Sequence, residues 1–444
     1  MAFPNYEIPP NWQILLNYLA SKKLLPKPAF TPMSQRNDFP HINKVKLNSR
    51  VTGEVSDGSN IDMAGFGSNV EIEEAYSKAV GEFLERYILT VYRLKDFKCG
   101  SYNNLIRMGV RALNLDMLPK FLPWQTEEFK ELAYSTDTPL HWTRATELLS
   151  GKSVYVPAQL VFWNYARTPV REPWLQSSTT NGQAGHFTFE ESVLSSIYEL
   201  VERDALLIFW LNTISPPRIK LESIDDPAIH ERITLLQNTG LKLFYLDTTT
   251  DLGIPSCICV VLDDRGAEPR IALGGSAGFD IYKNLTSSLN EALSVAQHTV
   301  TYDLKADYRP FLDRNIHMKE RMGMWHGNTM LERFNFFISS DEITFSESRH
   351  YSFHKVFSSK QSEFEEVKKI FKDKGAGYEL YCYRAQHPVL DTLGYVVTKV
   401  ITPKLVPLHL HEHLATLGAE RLQEVPAILG YLETKLNPWP HPFA

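Results

Sequence analysis

The sequence has no run of basic residues, no pair of cysteines spaced CxxC, and no apolar stretch of membrane-spanning length. With a net charge of −6, the first absence leaves no global positive field to draw the chain to nucleic acid or to acidic membranes. The second leaves Cys99, Cys257, Cys259 and Cys382, which fit reduced thiols of a cytoplasmic protein better than a disulfide framework. A spanning helix takes roughly 18–20 apolar residues. Residues 1–13 also lack the cationic and apolar segments of a secretory signal. The pattern GxxxxGK[ST] is absent, which excludes a P-loop. No Ser/Gly linker or low-complexity tract divides residues 46–444.

What is there is ample apolar material. Of 444 residues, 43% are hydrophobic and 12% aromatic, enough for a sizeable core. Residues 1–45 read as an extension holding one short amphipathic helix, about 11–24, and a Pro-bearing polar linker. Beyond it, strand-like runs (154–162, 241–247, 254–262, 270–274, 394–402) alternate with helix-like runs (70–95, 189–213, 283–304, 362–374). The pattern predicts one large α/β unit over 46–444. Cys257 and Cys259 sit two apart in a strand, so both face one side, as core residues.

The most informative feature is an internal resemblance. Residues 73–87 read EEAYSKAVGEFLERY and residues 190–204 read EESVLSSIYELVERD. Both carry Glu-Glu and, further on, Glu-x-x-Glu-Arg, behind the small-residue loops AGFGSN (64–69) and STTNGQAG (178–185). A weaker third copy runs from GGSAGFD (274–280) into LTSSLNEALSVAQ (285–297). The irregular spacing excludes a solenoid and suggests helix starts converging on one centre.

Glu82 and Glu85 lie three apart, on neighbouring turns of one helix face, and Glu199 and Glu202 repeat the arrangement. Like charges so placed repel in an isolated helix, and a hard cation relieves them: Mg²⁺ prefers carboxylate, water and phosphate oxygens. A solvated face with local ion pairs is the competing reading. In the loops, backbone N–H groups at Gly182 and Gly185 are expected to face a phosphate at a helix start, with Ser178 and Asn181 nearby. Phosphate on the loops and magnesium on the acids describe a nucleotide site.

The run SSTTNGQAGHFTFEESVLSSIYELVERDALLIFW (177–210) resembles the central signature of the YcaO family. GEFLERY (81–87) is similar to the family's first Glu-x-x-Glu motif, VPAQLVF (156–162) to a strand contributing a Gln, and GGSAGFD with NEALSVAQ (290–297) to its third loop and helix. The resemblance spans about 46–444. It implies an α/β (α+β) YcaO fold with long helices converging on a central ATP site. It also implies magnesium held by Glu82, Glu85, Glu199 and Glu202, and nucleotide contacts from Ser178, Asn181, Arg203, Gln159, Glu291 and Gln297. One departure is Ser287, where many members carry Arg, so that either a neighbour such as Lys283 supplies the charge or the phosphate contact differs.

The ending NPWPHPFA puts Pro438, Pro440 and Pro442 at alternate positions, which forces stiff, extended backbone. In this family PxPxP goes with azoline-forming members, whose tail reaches the active site. That implies a cyclodehydratase acting on Cys, Ser or Thr of a precursor peptide, with the carboxylate of Ala444 as proton acceptor. Thioamide or amidine formation and a non-catalytic docking scaffold are the alternatives. The implied partners are the precursor peptide, a separate ubiquitin-activating-enzyme-like protein that binds the leader, and a flavin-dependent azoline dehydrogenase; a homodimer is compatible. His409, His411 and His413, alternating in PLHLHEHL, would share a strand face, as a metal arrangement or as ordinary histidines. Trp174 reads as a core aromatic or a stacking surface.

Overall fold

A computed structural model describes residues 10–24, 30–32, 42–51, 61–165, 171–297, 301–314, 316 and 318–443. Helix α1 (Pro10–Ser21) buries Trp12, Leu15, Leu16 and Leu19 in a core shared with α2 (Ile72–Ile88). Strand β1 (Phe30–Pro32) pairs with β2 (Asn43–Val51), which pairs with β3 (Ile61–Asn69), all antiparallel. The boundary expected at 45/46 therefore falls inside β2, and the helix ahead of it is packed into the core. Helix α2 lies flush on β3. A Cβ at Gly65 or Gly67 would sit 1.9 or 1.8 Å from the carbonyl oxygen of Ala79 or Ala75, so only glycine permits the approach.

A second sheet has the order β4-β5-β13-β14-β7, with β6 on β5. Its strands are β4 (Lys98–Gly100), β5 (Leu140–Glu147), β6 (Lys152–Pro157), β7 (Gln183–His186), β13 (Tyr381–Arg384) and β14 (Val396–Ile401). The third sheet has the order β11-β10-β9-β8-β12: β8 (Arg218–Ile219), β9 (Lys242–Asp247), β10 (Ser256–Asp263), β11 (Arg270–Ala277) and β12 (Glu342–Ile343). Side chains of β10 alternate between two cores, as a strand covered on both faces requires. Cys257, Cys259 and Val261 meet α4 (Ile281–Ala296), while Ile258, Val260 and Leu262 meet α3 (Phe189–Leu211). The two cysteines share one buried face, as their spacing indicated.

Helix α3 is central. Its C-terminal residues Leu206 to Leu211 are all buried, the mark of a helix covered on every side. Each large side chain so buried contributes about 1.5–3 kcal/mol. Thr188 caps its start by accepting from the Glu191 N–H at 3.3 Å, and Asp280 caps α4 through the Lys283 N–H at 3.0 Å. Two further helices matter below, α5 (Met318–Met324) and α6 (Lys360–Lys374). Helices α2 and α3 end earlier than the periodicity suggested, because apolar residues continue into turns beyond Ile88 and Leu211, and part of the run expected over 283–304 lies outside the described residues.

Candidate functional site

The three copies of the loop-and-helix unit are strand-and-helix units. In each, a glycine-bearing strand (β3, β7, β11) turns into a helix (α2, α3, α4), and a glutamate of a helix bonds back to a strand or loop amide. Phe66 N–H donates to Glu82; Gly185 N–H to Glu85 Oε1, Gly182 N–H to Glu199 Oε2 and Gly275 N–H to Glu291 Oε2, each at 2.8 Å. This corrects the expectation that Gly182 and Gly185 present free amides to phosphate at a helix start. Their N–H groups are spent on carboxylates, and α3 begins only at Phe189. Glycine is needed for close approach instead: Gly182 has φ +76°, and a Cβ there would lie 2.6 Å from the Val400 carbonyl. The third copy is as regular as the others, although its sequence is the weakest match.

The units converge. Glu85 feels the charges of Glu82 and Glu199, and Glu291 those of Glu202 and Glu199. Arg203 sits among Glu199, Glu202 and Glu291, 2.7 Å from Glu202 Oε1 and 3.7 Å from Glu199 Oε1, while Arg86 is 2.7 Å from Glu82 Oε1. Burial pushes Glu85 well above the usual carboxylate range, and the charge of Glu82 adds to it. Burial also raises Glu82 and Glu199, opposed by Arg86 and Arg203 respectively, and takes Glu291 to about 7. Such a group is short of positive charge. Among the described residues no three His, Cys, Asp or Glu side chains gather around one point to hold an ion by themselves. Paired acids that share a cation with phosphate and water suit Mg²⁺, which keeps several of its waters.

The loop ahead of β7 supplies neutral donors and acceptors. Ser178 Oγ and Asn181 Oδ1 are buried without a hydrogen-bond partner. Buried polar atoms are ordinarily paired, so these suit a polar ligand. Lys399 of β14, which the sequence reading missed, pins this loop by donating to the carbonyls of Thr179 (3.1 Å) and Asn181 (2.5 Å). Burial lowers its ammonium to about 8, opposed by Glu199. A cleft of about 230 Å³, lined by Glu199, Glu202, Ser276, Lys283 and Asn284, opens beside the acids. Lys283, named as a replacement for the Arg missing at Ser287, lines this cleft.

The other expected residues divide. Gln159 is spent on structure, donating to Glu172 Oε2 and the Pro173 carbonyl (both 3.1 Å) and accepting from Leu175 N–H. Gln297 follows α4, buried, with neither side-chain polar atom paired. Pro438, Pro440 and Pro442 lie in a tail whose Phe443 ring sits 3.9 Å from the Arg203 guanidinium. Ala444 lies outside the described residues. Trp174 packs against Phe129 and Leu132. His409 and His413 are buried in and beside a 3₁₀ turn (Glu412–Leu414), not on a strand, and they join no metal cluster.

An acid-rich centre built from three strand-and-helix units, with unpaired polar groups on the adjoining loop, defines a nucleotide- and metal-binding enzyme class. The chain belongs to the YcaO family: the family model described as YcaO cyclodehydratase, ATP- and Mg²⁺-binding, matches residues 66–406. ATP and Mg²⁺ are the cofactors this membership brings. An uncharacterized protein in the tfuA 3' region of Rhizobium leguminosarum bv. trifolii is 37% identical over 129 residues, 28% of this chain and 30% of that protein. A heterocyclase solved in complex with substrate and cofactor superposes with TM-score 0.71 and 19% identity, covering 99% of this chain and 58% of that one. YcaO from Methanopyrus kandleri, bound with AMPPCP and Mg²⁺, gives 0.58 and 18%, covering 89% and 91%. The chain thus spans about a third of the Rhizobium protein and over half of the heterocyclase. The mixed α+β architecture agrees with these folds. Among the described residues no helix is long and apolar enough to cross a membrane.

Proposed function

We propose that the chain is an ATP-dependent cyclodehydratase that converts Cys, Ser or Thr residues of a precursor peptide into azolines. The observation that carries this reading is the convergence of Glu199, Glu202 and Glu291 around Arg203, with Glu85 and Glu82 adjoining through Glu199 and one oxygen of four of these acids already tied to a backbone amide. In this reading the first four acids hold magnesium, and Ser178, Asn181, Arg203, Glu291 and Gln297 hold the nucleotide. Gln159 acts at one remove, by fixing the segment that leads into the Ser178 loop.

Bound Mg–ATP supplies a γ-phosphoryl group that turns the amide oxygen into a leaving group. In balance, the side-chain sulfur or oxygen bonds to the preceding carbonyl carbon and the amide oxygen departs in inorganic phosphate. A C=N bond forms, and two protons leave, one from the nucleophile and one from the amide nitrogen. The chain's contribution is to orient both reactants and to keep the acids and Arg203 fixed while charge moves. The PxPxP tail, which lies on Arg203, supports assigning proton acceptance to the tail, with the carboxylate at Ala444 as the acceptor. The partners in this reading are the precursor peptide, a separate leader-binding protein and, for azoles, a flavin-dependent dehydrogenase. Four free cysteines, three of them in the core, are compatible with a cytoplasmic setting.

The test is Glu199→Ala and Glu202→Ala, read by calorimetric binding of AMPPCP with Mg²⁺ and by peptide-dependent phosphate release. Both variants are expected to stay folded, to bind the Mg-nucleotide at least tenfold more weakly, and to release no peptide-dependent phosphate. Mass spectrometry of the product should show one water lost per ring. Full nucleotide binding in both variants would sink the assignment.

A further inference from the structure

The histidine run PLHLHEHL finds no place in the nucleotide reading, but one of its members meets the tail. The ring of His441 stands edge-on to that of His409, centroids 4.8 Å apart, and both are buried. His441 Nε2 lies 2.8 Å from the His409 carbonyl oxygen. A carbonyl only accepts, so Nε2 carries the proton and the tautomer is set.

Arg321 of α5 completes the contact. It is fully buried, and its guanidinium donates to the carbonyl of His441 (3.1 Å), the carbonyl of Leu410 (3.1 Å) and Glu412 Oε1 (2.5 Å). Glu412 is equally buried, so the charge is matched locally. Prolines at alternate positions leave the tail few N–H groups, and its fastenings fall on carbonyl oxygens. Trp210 Nε1 donates to Trp439 O at 2.9 Å and Tyr308 OH to Pro438 O at 2.8 Å. Trp210 and Arg203 are both on α3, so the tail runs back along the helix that carries Glu199 and Glu202.

We propose that Arg321, with the His409–His441 pair, is a positioning clamp that holds the tail in register against Arg203 for ring closure. This rests on the cyclodehydratase reading. The prolines make the segment stiff, so a fastening at His441 sets where Phe443 lies. Arg321 touches no reacting atom and acts through the tail.

The experiment compares Arg321→Lys, His441→Phe, His441→Gln and a chain lacking residues 439–444. Lysine keeps a charge facing Glu412 but cannot span three acceptors; phenylalanine keeps the ring and loses the donor; glutamine restores a donor. Hydrogen exchange at residues 437–443 should quicken tenfold or more in R321K and H441F while α3 is unchanged. With Mg–ATP and a glycine-flanked cysteine peptide, kcat for water loss should fall about 10- to 100-fold, as expected of a misplaced group. KM for both reactants should stay within twofold, phosphate released per water lost should rise, and H441Q should recover most of the rate. Should R321K fail to fold, H441F alone decides. Unchanged tail exchange in H441F overturns the clamp, and so does a loss of rate that merely follows a fall in melting temperature. If the truncated chain makes no rings while both point variants match wild type, the clamp fails and the cyclodehydratase reading stands. If the truncated chain closes rings normally, the tail's part in that reading fails and the clamp with it.

Discussion

Replacing Gly275 with alanine should disable the site without disturbing the fold, and the geometry gives the size of the effect. A Cβ at this position would stand 2.5 Å from Glu202 Oε1, a flexible side-chain end, and the backbone there is one that alanine adopts. Ordinary contact begins near 3.4 Å, so the carboxylate must retreat by about 0.9 Å (3.4 less 2.5). Moving one side chain off its rotamer costs on the order of 0.5–1.5 kcal/mol, little of the stability of a chain this size. A ligand displaced by about 1 Å forfeits roughly 10- to 100-fold in rate, or about 1.4–2.7 kcal/mol. The neighbouring position behaves oppositely. A Cβ at Gly274 would lie 2.1 Å from the Ser288 carbonyl oxygen, backbone that cannot yield, so G274A should unfold at a markedly lower temperature. Thermal melts and the Mg–ATP dependence of phosphate release check both. A G275A protein with wild-type kcat/KM for Mg–ATP, or a G274A protein as stable as wild type, would refute the reasoning.

Three further outcomes are expected. K399M, which keeps the strand but releases the Thr179 and Asn181 carbonyls, should weaken Mg–AMPPCP binding several-fold by calorimetry, with K399R in between. R421M should cost about 3–5 kcal/mol in urea unfolding, because Asp204, fully buried and 2.6 Å from Arg421, would be left as an unpaired buried charge. Three buried histidines should lower stability below pH 6.5, against the raised carboxyls of Glu85, Glu199 and Glu291, which take up protons more readily in the folded chain and act in the opposite sense. Burial lowers His413 to about 4 and holds His409 and His441 well below their usual value, aided by the charge of Arg321 on the latter two. All three stay neutral when folded, so from about pH 6.5 downward the unfolded chain takes up protons that the folded chain refuses. That loss is complete for His413 near pH 4 and absent above pH 7, and the difference between wild-type and H413Q melts across this range isolates it.

Much of the site was legible because it repeats. Glu-x-x-Glu-Arg twice, each copy behind small residues, marked α2 and α3 before any coordinates, and the strand alternation placed Cys257 with Cys259. What local pattern did not carry was the destination of a hydrogen bond. The glycines at 182 and 185 look the same in sequence whether their amides meet phosphate or carboxylate; the structure gives them to Glu199 and Glu85. Gln159 looked like a ligand and is a brace. Lys399 did leave a signal, a lone charge inside the apolar strand VVTKVI, which demands a buried partner. Arg321 and the pairing of His409 with His441 left none, since contacts between residues 32 and 120 apart depend on tertiary packing alone.

The bonds from strand and loop amides to Glu85, Glu199 and Glu291 bear on how these positions are best altered. A glutamine substituted there has two unlike ends, and the amide donor at Gly185, Gly182 or Gly275 will select its oxygen. The NH₂ group then takes the place of the other carboxylate oxygen, which at Glu199 borders the cleft. The exchange does more than erase a negative charge: it aims a dipole of the wrong sense at any incoming cation, and so should be harsher than alanine, which leaves room for water to stand in.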